Sequence, residues 1–220
     1  MFIPIGDDNV KGGYKPIFSY LLIASNIALF GYELSLGEEL GAFLDRFAFT
    51  AYRITHFQDM DALFTSMFLH GGWMHLIGNM MFLWVFGDNI EAVIGNFKFI
   101  FFYLLGGIIA GLSQVFLFPE ALTPTLGASG AIAAVLGAYL IMFPASRIKI
   151  LFFVFTFSVP AILFLGFWIF QQFSNGYGAL SSTADTGGVA WWAHIGGFVF
   201  GLISGIYYRV SLKTTVEHYV

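Results

Sequence analysis

Cysteine is absent from the 220 residues, which excludes disulfides, thiolate metal sites and a thiol nucleophile. Charge is scarce as well: Asp, Glu, Lys and Arg make up 10% of the chain, against 58% hydrophobic residues that include 28 Phe. Ordinary soluble domains carry about 25% charged residues. That shortage, with a mean hydropathy of +0.81, excludes a soluble globular domain and points to an all-α polytopic membrane protein. Residues 1–13 show neither an apolar core behind basic residues nor Arg enrichment. Neither a secretory signal nor an organelle transit peptide is therefore expected, and the first apolar stretch is expected to act as the insertion signal.

What is present is a series of six apolar stretches, from about Pro16 to Tyr32, Met67 to Phe86, Phe97 to Phe118, Ser129 to Phe143, Ile148 to Phe170 and Val189 to Tyr208. Roughly 20 helical residues cross the hydrocarbon, so six helices account for most of the chain. The expected organisation is a short cytoplasmic segment (1–15), one six-helix membrane domain (16–208) and a short cytoplasmic tail (209–220). With the N-terminus inside, Lys11, Lys15, Lys98, Arg147, Lys149, Arg209 and Lys213 lie on the inner side and only Arg46 and Arg53 outside, the bias that sets membrane orientation. The first outer loop, about Glu33 to Ser66, is acidic and too long for a structureless tether. Leu40, Phe43, Leu44 and Phe47 follow helical spacing within it, so part of the loop is expected to lie on or in the membrane surface.

Depth follows from this topology. The fourth span enters from outside and stops at Pro144, so Ser129 to Phe143 covers roughly 22 Å of a roughly 30 Å core. The preceding Leu122 to Gly127 must then dip into the membrane as irregular backbone, tolerated only if it is buried in protein or lines a wet cavity. His194 lies about 7 Å into the sixth span by the same arithmetic. His75 and Asn79, four residues apart in the second span, share one helix face at similar depth. A hydroxyl, two imidazoles and an amide thus converge on one layer.

Each residue also has a plainer reading. Ser129 between Gly127 and Gly130 suits close helix packing, and Asn79 suits interhelical hydrogen bonding. The row Gly197, Gly201 and Gly205 has that packing meaning, bringing the sixth span against the fourth. His194, an ionisable group inside a span, is a functional candidate. A zinc hydrolase is disfavoured, because His-Glu-x-x-His is missing and no Asp or Glu lies at the depth of His70, His75 and His194. His70 and His75 would point about 140° apart on one helix, and Gly71-Gly72 are expected to leave His70 in the preceding loop. An aspartyl site needs two deep Asp residues, and only Asp88 comes near. Asp88 and Glu91 are expected to pair with Lys98, Arg147 or backbone.

Three motifs in order, His70-x-x-x-x-His75-x-x-x-Asn79, Gly127-Ala128-Ser129-Gly130 and Ala193-His194-x-x-Gly197-x-x-x-Gly201, resemble those of the rhomboid intramembrane serine proteases. The resemblance covers the six-helix region and implies a rhomboid bundle with a partly membrane-embedded first outer loop. It implies Ser129 as nucleophile and His194 as general base, with His75, Asn79 and the Ser129 backbone N–H stabilising the oxyanion. It further implies cleavage of transmembrane protein substrates through an acyl-enzyme, without cofactor, metal or nucleic-acid partner. The expected location is a bacterial plasma membrane, with the site opening outward. A non-catalytic rhomboid-like binder of transmembrane helices is the alternative. Two departures stand out. Many rhomboids carry Tyr four residues after the serine, where this chain has Ala133, and the usual Trp-Arg pair of the first loop is matched only by Tyr52-Arg53, too far upstream to align. Asp185 reads as a solvated loop residue, so packing and another hydrogen bond must orient His194. The stretch from about Gln171 to Gly188, rich in Gly, Ser and Thr, is expected to be an outer loop, either a mobile lid or a plain connector.

Overall fold

Helix α7 (Ser129–Met142) is the axis of the fold, and its residues from Ala131 to Tyr139 are all buried. A helix apolar on every side is the expected occupant of such a position. The computed structural model describes residues 2–8, 10, 12–181 and 189–212. Around α7 stand five further long helices: α1 (Ile17–Ser35), α5 (Trp73–Ile94), α6 (Asn96–Leu117), α8 (Ala161–Ser181) and α9 (Trp191–Ser211). Two of them, α1 and α6, are long and apolar enough to cross a membrane.

Small residues set how closely these helices approach. A Cβ on Gly197 would stand 2.2 Å from the Gly130 carbonyl oxygen, and one on Gly201 2.0 Å from that of Ala134. The notch is reciprocal, since a Cβ on Gly137 would stand 2.2 Å from the Phe198 carbonyl oxygen. The glycine row read from the sequence therefore does seat α9 on α7, with backbone against backbone. Gly106 serves the same purpose between α6 and α7, where its Cβ would meet that of Ala134 at 2.6 Å. Dispersion across such contacts is what holds helices together when both are equally content in apolar surroundings.

The expectation of helices alone is corrected by a three-stranded antiparallel sheet, β1 (Phe2–Gly6), β2 (Arg147–Phe152) and β3 (Phe155–Pro160), in the order β1-β2-β3. Strands β2 and β3 occupy the first 13 residues, Ile148 to Pro160, of what the hydropathy profile marks as a span from Ile148 to Phe170. In β2, Ile148 and Ile150 are buried while Arg147 and Lys149 are exposed. This is the period of two that a half-buried strand requires, and an average over hydropathy conceals it. The helical part of that stretch begins at Ala161 and continues past Phe170 to Ser181. Gln171 to Ser181 are thus helix rather than loop; the rest of the expected loop, 182–188 with Asp185, lies outside the described residues.

Buried polar groups tie the N-terminal segment to the helices. Asp7 accepts from Asn89 Nδ2 at 2.7 Å and from the Tyr139 hydroxyl, Asn89 Oδ1 accepts from the Val10 N–H at 2.7 Å, and Asp8 accepts from the Arg147 N–H at 2.9 Å. Helix α1 has no capping side chain of its own. Glu91 supplies one from α5, accepting from the Phe18 and Ser19 N–H groups at 2.8 and 2.7 Å and from the Asn96 amide at 2.6 Å. An acid at a helix N-terminus satisfies orphan donors and meets the positive dipole end, so Glu91 pairs with backbone, one of the partners expected for it.

The first loop folds into α2 (Leu40–Phe47), α3 (Ala51–Thr55) and α4 (Ala62–Thr65). Leu40, Phe43, Leu44 and Phe47 all fall on α2, as their spacing requires. Arg53 clasps the Asp45 carboxylate at 2.8 and 2.9 Å, Arg46 meets Asp61 at 2.9 Å, and Phe49, Ile54, Ala62 and Leu63 bury themselves with Val115 of α6.

Two outcomes are expected. Gly201→Ala should lower thermal stability in detergent by about 1–3 kcal/mol, the cost of overpacking a closed contact, whereas Gly31→Ala, whose Cβ meets nothing within 4 Å, should not. Burial pushes the Asp7 carboxyl up to about 6, with the neighbouring Asp8 adding to the rise and Tyr139 and Asn89 opposing it. Since the folded state then binds the proton more tightly than the unfolded chain, stability should fall as pH rises from about 4 to about 6. Asp7→Asn should flatten that part of the curve, measured as melting temperature against pH.

Candidate active site

The site is assembled where four helices and one irregular segment meet. Between α6 and α7 the chain from Phe118 to Ala128 is non-helical, and its backbone groups are satisfied by the first loop. Thr125 exchanges backbone hydrogen bonds with Phe49 (2.7 and 3.2 Å), the Tyr52 N–H donates to the Ala121 carbonyl at 3.1 Å, and the Gly127 N–H donates to the Ser66 carbonyl at 2.8 Å. The folded loop therefore supplies the partners that this irregular backbone needs.

Gly127 takes φ +122°, and a Cβ there would stand 2.6 Å from His75 Nε2. Only glycine combines that backbone conformation with that approach. Two residues later the chain enters α7 at Ser129. The first N–H groups of α7 have no capping side chain, so they remain available as donors.

Ser129 Oγ lies 2.7 Å from His194 Nε2, across 65 residues of sequence and the α7–α9 notch. The other ring nitrogen, Nδ1, lies 2.8 Å from Gln172 Oε1 on α8. Two indoles bracket the imidazole, Trp168 with its centroid 6.0 Å away at 34° and Trp191 at 6.2 Å edge-on. Ala133, where an aromatic might have stood, is fully buried and too short to cover the ring; Trp168 does so from a different helix.

His75 and Asn79 lie one turn apart on α5 and line the same cavity, about 520 Å³ in volume, as Ser129, His194, Gly127, Gly130 and Trp168. Asn79 is buried, and its Nδ2 has no hydrogen-bond partner among the described residues. His70 lies ahead of α5, as Gly71-Gly72 require. Leaving the helix turns its ring back to within 5.2 Å of His75 rather than away from it. Gly197 and Gly201 lie on the α9 contact below the site. Among the described residues no cluster of three or more His, Asp or Glu is arranged to hold a metal ion.

Chemically, an imidazole with a free Nε2 lone pair beside a hydroxyl can take its proton, and helix N–H groups with a spare amide can receive an anion. Sequence reasoning brought Ser129, His194, His75 and Asn79 together; it missed Gln172 and Trp168. Trp168 and Gln172 lie one helical turn apart, but an apolar stretch that ends at Phe170 leaves Gln171 and Gln172 in the segment that follows it.

These features define a predominantly helical protein with a serine–histidine pair in a largely apolar cavity. A family profile for the Rhomboid domain matches residues 58–211. Rhomboid protein 1, mitochondrial, of Saccharomyces cerevisiae is 28% identical over 88% of this chain and 54% of its own. Rhomboid protease GluP of Bacillus subtilis is 30% identical over 86% and 34%, and presenilin-associated rhomboid-like protein A, mitochondrial, of Danio rerio 33% over 62% and 34%. The chain belongs to the rhomboid family and is an integral membrane protein. It spans between one third and about half the length of these relatives.

Gly127→Ala should displace His75 and the entry to α7. A misplacement near 1 Å costs up to roughly 100-fold, so reaction of Ser129 with a fluorophosphonate should slow by about 10- to 100-fold in protein that remains folded by circular dichroism.

Proposed function

We propose that the chain is an intramembrane serine endopeptidase that cleaves transmembrane proteins in or near their membrane segments. The observation that carries this reading is the 2.7 Å contact between Ser129 Oγ and His194 Nε2 inside the cavity. His194 takes the serine proton as Oγ attacks the scissile carbonyl, then returns it to the leaving amine; water repeats the sequence on the acyl-enzyme. The unpartnered Asn79 amide, His75 and the Ser129 N–H are the donors for the oxyanion, aided by the positive end of α7.

In this reading α1, α5, α6, α7, α8 and α9 are the six spans of one domain, residues 16–208. Both termini face the cytoplasm of a bacterial plasma membrane and the cavity opens outward, an orientation supported by the inner-side excess of Lys and Arg. Substrate enters sideways between α5 and α8, where Phe82 stacks on Phe164 with centroids 6.1 Å apart. A helical substrate hides its backbone, so small or helix-breaking residues near the scissile bond let it unwind into the cavity.

The test is labelling of the detergent-solubilised protein with a fluorophosphonate. Wild type should label, Ser129→Ala and His194→Ala should not, and Asn79→Ala should label more slowly, by about 10- to 1000-fold, the cost of one oxyanion donor. Folded wild type that fails to label beside a reactive serine hydrolase would overturn the reading in favour of a non-catalytic binder of transmembrane helices.

A further inference from the structure

We infer that Gln172 is a positioning residue that fixes the tautomer of His194, and that with Trp168 it replaces the missing aromatic at position 133. The inference rests on the protease reading for its consequence in rate, though its geometry stands apart from it. For Ser129 to donate to Nε2, the ring must carry its proton on Nδ1. A buried Nδ1–H needs an acceptor, since an unpaired buried polar group costs a full desolvation penalty. Gln172 Oε1 is that acceptor at 2.8 Å.

The orientation of the amide follows from its other end. Gln172 Nε2 donates to the Trp168 carbonyl at 3.2 Å, the residue one turn earlier on α8. Turning the amide over would set its oxygen against that carbonyl and its NH2 group against Nδ1, which selects the opposite tautomer and takes the lone pair away from Ser129. Gln172 is 6% exposed, so its amide is largely screened from water. Trp168 carries both parts of the arrangement, its carbonyl holding the amide and its indole covering the ring.

No acid faces the imidazole among the described residues. From α5 the titratable group acting on it is His75, from α7 the neighbour is Ser129, and from α8 Gln172 and Trp168. A neutral acceptor therefore stands where a carboxylate would otherwise hold such a ring. It orients the imidazole without stabilising the imidazolium by a full charge.

The experiment pairs two readouts on wild type, Gln172→Glu and Gln172→Leu in detergent. Imidazole nitrogen NMR of ¹⁵N-histidine protein, with His194 assigned by difference from His194→Ala, should show the Nδ1–H tautomer in wild type and in Gln172→Glu. Gln172→Leu should populate the Nε2–H form. Fluorophosphonate inactivation followed from pH 5 to 9 should slow in Gln172→Leu by about 10- to 100-fold, short of the roughly 10⁴-fold that a wrong tautomer costs a serine-protease triad. It should recover in Gln172→Glu with its acidic limb moved to higher pH, because a carboxylate favours the charged ring. An unchanged tautomer and an unmoved pH profile in both folded variants would overturn the inference. Failure of every sample to label while the tautomer still responds would remove the protease reading and leave the positioning role standing.

Discussion

The backbone contact between α7 and α9 is the interaction on which the rest depends. Ser129 opens one helix and His194 lies in the first turn of the other, so their separation is set by how closely two helix axes approach and in what register. Gly137, Gly197, Gly201 and Gly205 remove the side chains that would otherwise hold those axes apart. In surroundings where apolar side chains gain nothing by leaving solvent, this approach is stabilised by dispersion and shape together with the hydrogen bonds that cross it. The same notch that binds the helices therefore determines the 2.7 Å contact above it.

A second constraint is the need to satisfy backbone at depth. The segment before Ser129 is irregular, and irregular chain is tolerable there only where other protein answers its N–H and C=O groups. The first loop meets that need through Phe49, Tyr52 and Ser66, and its own shape is braced by Arg53 on Asp45 and Arg46 on Asp61. The first loop is therefore part of the site, where Phe49, Leu63 and Ser66 line the cavity. At the opposite end, the sheet and the Asp7–Asn89–Tyr139 seam hold the N-terminal segment against α5 and α7, and β3 leads without a break into α8, the helix that carries Trp168 and Gln172.

Much of this was legible in the residues. Six apolar stretches correspond to six long helices, and the ends of α1, α6 and α7 fall within a few residues of the sequence estimate, because Pro144, Gly95 and the flanking polar segments mark them. The spacing of His75 and Asn79 placed them on one face, and that face does line the cavity. Two things were not legible. Hydropathy averages over the period of two in Arg147 to Ile150, so a strand pair was merged with the helix that follows it. Gln171 and Gln172 look like a departure from the membrane, because two adjacent amides at the end of an apolar run give no sign of their partners.

Local composition and fixed helical periodicity carry the class of molecule, the long helices other than the start of α8, the glycine row and the shared face of His75 and Asn79. They are silent on the pairing of β1 with β2, the support of the segment before Ser129 and the partner of His194 Nδ1. Those depend on which groups meet across 22 to about 150 residues of chain, and burial of a polar atom dictates that it must have a partner without naming which one.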